Sequence, residues 1–197
     1  MKSRNLLRPL ILGTALLALA AAGCRRAADE PAVDSRDAFF ERLRELCGQS
    51  FAGRAVHSAT ENDPMLEARL VMHVEICTER EIRVPFHVDE DRSRTWVLTR
   101  SDAGLLLKHD HRHEDGTPEE LTMYGGWARD GGTSLRQSFP ADEQTAKMLP
   151  AAATNVWTLE LEPGRRFVYD LTRHGQPRFR AEFDLSRPLE KEKPPSD

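Results

Sequence analysis

Residues 157–171, WTLELEPGRRFVYDL, alternate apolar and polar side chains on both sides of a Pro-Gly pair. Such alternation is typical of β-strands with one buried face, because successive side chains of a strand point to opposite sides. The Pro163-Gly164 pair predicts a tight turn, so these two strands pair antiparallel. The pattern continues after His174-Gly175 with apolar residues at 179, 181, 183 and 185. This end of the chain therefore predicts an antiparallel meander.

The same period of two dominates the first half of the chain. Apolar residues fall at the even positions from Leu66 to Ile76 and again from Ile82 to Val88. Further strands are predicted at residues 94–99, 104–109, 121–124 and 134–139. Strands with one apolar face must pack on a second sheet or close into a barrel. We therefore expect a mainly β fold, a single antiparallel meander β-barrel of about 8–10 strands.

Two helices are predicted beside the strands. Apolar residues at helical spacing follow Asp34 or Ser35, either of which would cap the helix, and Gly48 would end it; these residues are Phe39, Phe40, Leu43, Leu46 and Cys47. Residues 141–149 predict a short second helix. The barrel domain is expected to span residues 36–187. The charged, Pro-rich residues 188–197 lack apolar periodicity and predict a disordered tail.

The first 23 residues predict an export signal. Lys2, Arg4 and Arg8 precede a short apolar run, and small residues then lead to Cys24. The apolar run is too short for an ordinary membrane span. A plain secretory signal followed by an unrelated cysteine is the alternative interpretation.

The end of this signal, Ala21-Ala22-Gly23-Cys24, resembles the lipobox of bacterial lipoproteins. It departs from that motif at Ala21, where leucine is commoner. The resemblance implies cleavage before Cys24, acylation (palmitate-type) of that cysteine, and residues 24–35 as a lipidated tether. It also implies a cell-envelope location: Arg25 in place of Asp is similar to lipoproteins of the outer membrane, facing the periplasm or the cell surface. The lipid anchor makes the membrane the first expected partner.

Charge argues against nucleic acid as a partner. The chain carries a formal net charge of −4, and removal of the three basic residues of the signal would make it more acidic. Nucleic-acid affinity is dominated by neutralised phosphates, which an acidic domain does not provide. A protein partner is not identified by the sequence.

Cys47 and Cys77 form an even pair once Cys24 is assigned to lipid. In an oxidising envelope such a pair predicts one disulfide. Two buried thiols or a redox pair are the alternatives, and the absence of a C-x-x-C motif disfavours the second.

A helix, then Cys47-Gly48-Gln49-Ser50-Phe51-Ala52-Gly53-Arg54, then a meander resembles the calycins, the barrels of the lipocalin and fatty-acid-binding type. The likeness is one of layout over most of the mature chain. The G-x-W motif of lipocalins is missing, because Arg54 and Ala55 follow Gly53. The resemblance implies a barrel that binds a small molecule.

Three histidines, His109, His111 and His113, lie two residues apart. On a strand they would share the face begun by Leu105 and Leu107. Two imidazoles at this spacing suit zinc or copper, and His87, His73 or Glu114 would supply a further ligand. The alternatives are a polar lining for a ligand, or a hydrated rim without a metal. The predicted metal ligands are therefore His109, His111, His113 and His87. The sequence does not otherwise require a resident cofactor.

Arg94 and Trp96 share one face of the strand at 94–99. An arginine facing a barrel interior needs a carboxylate partner or an anionic ligand, because a buried unpaired charge is costly. Tyr124 and Tyr169 would add hydroxyl groups to the same site. A ligand site of Arg94, Trp96, His109, His111 and Tyr124 is thus predicted, for a small hydrophobic or anionic molecule.

Catalytic motifs are missing from the sequence. It contains no G-x-S-x-G, no H-E-x-x-H and no phosphate-binding glycine loop before a helix. The sequence therefore favours a lipid-anchored binding protein without catalytic residues. The alternatives are a metal-binding protein or metal-dependent enzyme using the histidine strand, and a structural envelope lipoprotein.

Overall fold

A computed structural model of the chain describes residues 33–190. The predicted signal, Cys24 and the tether up to residue 32 lie outside the described residues, as do residues 191–197. Among residues 33–190, no helix combines the length and apolar character needed to cross a bilayer.

The fold is mainly β, with few helices. Helix α1, Ser35–Arg44, comes first, and helix α2, Glu143–Met148, lies between the eighth and ninth strands. The strands are β1 Ser50–Ser58, β2 Leu70–His73, β3 Glu75–Cys77, β4 Glu81–Val88, β5 Asp91–Ser101, β6 Gly104–His111, β7 Tyr124–Trp127, β8 Arg136–Pro140, β9 Asn155–Glu162, β10 Arg166–Arg173 and β11 Gln176–Asp184. Short 3-10 turns occupy Pro64–Leu66 and Pro150–Ala152.

The strands form one antiparallel sheet that is nearly closed into a barrel. Their order is β7-β6-β5-β4-β2-β1-β11-β10-β9-β8, with β3 beside β4. The two end strands meet through backbone hydrogen bonds: Arg129 N–H donates to Ser138 O at 3.0 Å, and Asp142 N–H donates to Gly125 O at 2.9 Å. The predicted mainly β, antiparallel barrel architecture is therefore confirmed in its coarse form, while residues 33–190 contain eleven strands instead of the predicted 8–10.

Closure between β7 and β8 depends on a close backbone approach at Gly126. A Cβ atom at this position would lie 1.8 Å from Pro140 O, far inside van der Waals contact. Only glycine lets the two strands approach so closely.

The interior of the barrel is largely filled by side chains. Phe51, Phe139, Trp157, Phe167 and Phe183 are at most 1% exposed and belong to one continuous apolar cluster. Helix α1 adds Phe39, Phe40 and Leu43 to it. Burial of these large side chains supplies the main stabilisation of the fold, about 1.5–3 kcal/mol for each.

Helix α1 covers the end of the barrel formed by the β5–β6 turn. Its N-cap, Asp34, accepts a hydrogen bond from Arg36 N at 2.8 Å. Arg100, near the end of β5, donates to Glu41 at 2.8 Å and lies 4.6 Å above the Phe40 ring. Arg94 lies six residues earlier on β5, roughly 20 Å away at the rise of an extended strand. The Arg94 end of the barrel is thus opposite the helix.

Some strand bounds differ from the predicted ones. The predicted strand at 66–76 is interrupted, because Pro64–Leu66 forms a 3-10 turn and Val74 separates β2 from β3. The predicted strand at 121–124 lies mostly before β7.

At the C-terminal end, Leu189 N–H donates to Ser50 O at 2.7 Å. Contacts of the domain thus extend beyond the predicted boundary at 187.

Cys47 and Cys77 form a disulfide across 30 residues, as predicted. The bond joins the segment that follows α1 to strand β3. It therefore ties the covering helix to the barrel wall.

Replacing both cysteines by alanine should lower the free energy of unfolding by about 3–4 kcal/mol, the chain-entropy value for a loop of this length. Urea denaturation followed by tryptophan fluorescence measures the change. Reducing agent added to the wild type is the matched control and should reproduce the loss, while the double variant should not respond to it. Equal urea midpoints of the oxidised wild type and the variant would contradict this role.

Candidate functional site

A cavity of about 150 Å³ lies at the Arg94 end of the barrel. Its wall includes all five predicted ligand-binding residues, Arg94, Trp96, His109, His111 and Tyr124, and also Phe86, Tyr169, Leu171 and Phe179. A second cavity of about 350 Å³ adjoins it and shares His111, Tyr124, Tyr169 and Leu171. We call these two spaces the barrel mouth.

The floor of the barrel mouth is a stack of aromatic rings. Trp96 is 2% exposed, and its ring lies parallel to Tyr169 at a centroid distance of 4.7 Å. Phe86 stacks on Trp96 at 4.9 Å. Strands β4, β5 and β10 supply these rings, so the floor spans opposite walls of the barrel. Such surfaces favour a planar apolar group.

His109 is buried between two hydrogen-bond partners. Its Nδ1 lies 3.2 Å from the carbonyl oxygen of Tyr124, and its Nε2 lies 2.9 Å from the hydroxyl of Tyr169. One tautomer satisfies both, with Nδ1–H donating to the carbonyl and the Tyr169 hydroxyl donating to Nε2. Burial lowers the pKa of His109 to about 3, and the nearby charges of His111 and Lys108 act in the same direction. The imidazole is therefore neutral at physiological pH.

His111 and Tyr124 form the polar side of the barrel mouth. The Tyr124 hydroxyl and His111 Nε2 are 2.9 Å apart, and Glu119 lies 3.9 Å from His111 Nδ1. Burial, followed by the charge of Arg94, lowers the pKa of His111. Burial raises the pKa of Tyr124 to about 12. Both groups thus remain neutral hydrogen-bonding groups near pH 7.

Arg94 lies at the rim, directly across from His111 in the β5–β6 register. Its guanidinium forms a short ion pair with Asp91, and its side chain keeps 28% exposure. It is therefore a solvated cation with a carboxylate partner already in place. An anionic ligand would share this arginine with Asp91.

The histidine row is shorter than predicted. Strand β6 ends at His111, and His113 is exposed in the turn that follows. There Gly116 N–H donates to His113 O, and His113 N–H donates to Thr117 O, both at 2.9 Å. Because the backbone turns here, His113 does not continue the face of His109 and His111.

His87 is also separate from this pair. It lies on β4 among residues that line a cleft on the outer face of the sheet, next to His73. Within residues 33–190, no three His, Cys, Asp or Glu side chains converge in a geometry able to hold a metal ion. The structure therefore does not bring together the predicted metal set.

Sequence reasoning placed Tyr169 near the site but missed Glu119 and Phe179. Alternation predicted that Phe179 faces inward, yet no local pattern indicates which strands face each other across a barrel. Glu119 lies on the long connection between β6 and β7, where no periodicity exists. Only the closed fold brings these residues to the barrel mouth.

Comparison with known proteins supplies no family for the chain, since no family model matches it and no curated protein sequence matches it significantly.

Replacing His109 by glutamine should reduce the acid sensitivity of the fold. The native His109 stays neutral down to a pKa of about 3, whereas the unfolded chain takes up this proton near pH 6.5. The free energy of unfolding therefore decreases as pH falls from about 6.5 toward 3, and the decrease is roughly 2 kcal/mol at pH 5. The glutamine amide can make both hydrogen bonds without titrating.

Urea denaturation at pH 7 and pH 5 measures this difference. The exposed His57 gives the control, because His57→Gln should keep the full pH dependence of the wild type. An identical loss of stability in His109→Gln and wild type would contradict the buried neutral imidazole.

Proposed function

We propose that this chain is a lipid-anchored envelope protein of the calycin-like type that binds a small amphipathic molecule at the barrel mouth. The observation that carries the proposal is an aromatic cavity with a polar rim, at the end of the barrel opposite helix α1. The nearly closed antiparallel meander supports the calycin likeness.

The filled interior limits the size of the ligand. A cavity of about 150 Å³ has the size of engineered protein cavities that hold a benzene molecule. One aromatic ring would occupy it against Trp96 and Tyr169. The remainder of the ligand would extend into the adjoining space of about 350 Å³. A long fatty acid therefore fits this barrel poorly.

The polar groups of the barrel mouth define the other half of the ligand. Arg94 offers a cation at the rim, and Arg173 lines the adjoining cavity, where its Nε donates to Asn155 at 2.8 Å. The hydroxyl of Tyr124 and the ring of His111 add neutral donors and acceptors. A planar molecule with a carboxylate, sulfonate or phosphate group suits this combination.

A metal is the less favoured occupant. Both ring nitrogens of His109 already have hydrogen-bond partners, and His111 Nε2 is bonded to Tyr124. Coordination would break these bonds at a buried site, where unsatisfied groups are costly. The binding of an organic ligand leaves them in place.

The aromatic sulfonate 1-anilinonaphthalene-8-sulfonate is a suitable probe for the barrel mouth. Leu171→Trp should fill the shared wall of both cavities and weaken probe binding at least about tenfold, equivalent to the loss of one favourable contact of about 1.4 kcal/mol. Fluorescence titration gives the dissociation constant. Thr172→Trp is the matched control, because Thr172 is not among the residues lining either cavity.

Equal dissociation constants for the two variants, both folded by circular dichroism, would exclude the barrel mouth as the site. Native mass spectrometry of protein purified from its own envelope then identifies the retained molecule. A mass equal to the acylated polypeptide alone, in protein that binds no probe, would contradict the binding function.

Cys24→Ala should release the protein from membranes. Acyl chains on Cys24 would hold the domain at the bilayer, since each buried CH₂ contributes about 0.8 kcal/mol. Fractionation of cells expressing each form, with intact-mass measurement, tests this. Cys24→Ser is a second variant with the same expected outcome, while Ser35→Ala serves as the control that keeps the anchor. Membrane retention of the Cys24 variants would contradict lipidation.

A further inference from the structure

A chain of three hydrogen-bonded side chains crosses the outer face of the barrel. Ser50 Oγ lies 2.7 Å from His73 Nδ1. On the other side of the ring, His73 Nε2 lies 2.9 Å from His87 Nδ1. We call this arrangement the Ser-His-His relay.

Strand register places the relay outside the barrel. Ser50 on β1 is directly opposite His73 on β2, and Val71 on β2 is opposite His87 on β4. The sequence neighbours of the relay residues point inward: Phe51, Met72 and Phe86 belong to the core. Because side chains alternate along a strand, Ser50, His73 and His87 share the opposite face. They are thus held by three adjacent strands of a rigid sheet.

In one protonation pattern, the hydrogen bonds of the relay leave a His73 ring nitrogen free to accept the Ser50 proton. Ser50 O–H donates to His73 Nδ1, and His73 Nε2–H donates to His87 Nδ1. His87 must be neutral to accept this bond. Burial, followed by the charge of His73, lowers the pKa of His87 to about 4. His87 therefore remains an acceptor at neutral pH, and it orients His73 as a base toward Ser50.

The relay lines a cleft of about 510 Å³. Val71 and Leu189 give it apolar surface, while Gln49 contributes an amide. The charged groups around it are Arg69, Glu75, Asp89, Arg92 and Glu190. The chain near Leu189 is fixed to Ser50 itself by the backbone bond between their main-chain groups. This volume lies in the range of small-molecule sites.

From this geometry we infer that Ser50 is a nucleophile for acyl transfer from small carboxylic esters, with His73 as its general base and His87 as a positioning residue. A serine hydroxyl needs an adjacent base to attack at neutral pH, and the base needs a third group to fix its tautomer. The relay supplies all three roles on one face. This site is distinct from the barrel mouth, so the inference goes beyond the proposed binding function.

The reaction balances without a cofactor. Ser50 Oγ attacks the ester carbonyl carbon while its proton passes to His73 Nδ1. The C–O bond to the alcohol then breaks, and His73 returns the proton to the leaving oxygen. Water, deprotonated by His73, next attacks the acyl-serine, so that the carboxylic acid leaves and Ser50 regains its proton. Gln49, Arg69 and Arg92 line the cleft and carry N–H donors for the carbonyl oxygen.

A fluorophosphonate probe tests the nucleophile directly. The Oγ–P bond forms as the P–F bond breaks, fluoride leaves, and His73 takes the proton. Intact-mass and peptide analysis should find one adduct, on Ser50, and none in Ser50→Ala. Ser58→Ala is the matched control: Ser58 lies on the same strand with its hydroxyl bonded to Asp63, and this variant should label like the wild type.

The histidine variants separate a relay from a structural contact. His73→Gln should slow labelling of Ser50 at least about 100-fold, the usual contribution of a general base, and should remove its dependence on pH between 5 and 8. His87→Phe should slow it less and shift the pH midpoint of labelling, a change that a merely structural residue would not cause. Hydrolysis of p-nitrophenyl acetate by the full chain should follow the same order.

Absence of an adduct on Ser50 in folded wild-type protein would overturn the inference. So would labelling of Ser50 at an equal rate in wild type and His73→Gln, provided that circular dichroism shows both to be folded. Binding of the fluorescent probe at the barrel mouth should be unchanged in Ser50→Ala, so a failure of one site is distinguishable from a failure of the other.

Discussion

Closure of the sheet between β7 and β8 is the constraint on which the rest of the structure depends. An open sheet of this length would expose its apolar face and two unpaired edges. The backbone bonds around Gly125 and Ser138, and the close approach at Gly126, join the ends instead. Closure gives every strand an inner and an outer face. The inner face is mainly apolar, and the outer face carries most of the charged side chains.

The inner face is mostly apolar, and its polar groups are few; within residues 33–190 most of them are paired, although the buried Oε1 of Gln137 has no hydrogen-bond partner. His109 and Tyr169 satisfy each other, and burial keeps both uncharged, since it also raises the pKa of Tyr169. The outer face of the same strands carries charged side chains, and some of them form ion pairs. Lys108, next to His109, is 7% exposed and forms an ion pair with Asp142 at 2.6 Å, which fixes the start of helix α2. Strand β6 therefore lines the barrel mouth with one face and holds the start of helix α2 with the other.

Much of this architecture follows from the sequence, because alternation is a local property. The period-two patterns around Val84, Trp96 and Leu159 predicted inward residues that are indeed buried. Cysteine count was enough to pair Cys47 with Cys77. Local patterns failed where the backbone turns without a strong signal, as at His113, whose spacing fitted a strand that had already ended at His111.

Contacts between distant strands were beyond such patterns. Ser50 and His73 are 23 residues apart, and His109 and Tyr169 are 60 apart. Each pair depends on register or on curvature of the whole sheet, and no short motif encodes either. The Ser-His-His relay went unpredicted for this reason. Alternation had largely located the strands of His73 and His87, but it had not predicted strand β1, which carries Ser50.

The placement of the tryptophans has an optical consequence. Trp96 and Trp157 each line one of the two cavities, whereas Trp127, the third tryptophan of the chain, is 41% exposed on the surface. Indole emission responds to the polarity and quenching power of adjacent groups. A bound ligand should therefore alter the fluorescence of Trp96 and Trp157 and leave that of Trp127 as an internal reference. The protein thus carries its own spectroscopic reporter of occupancy.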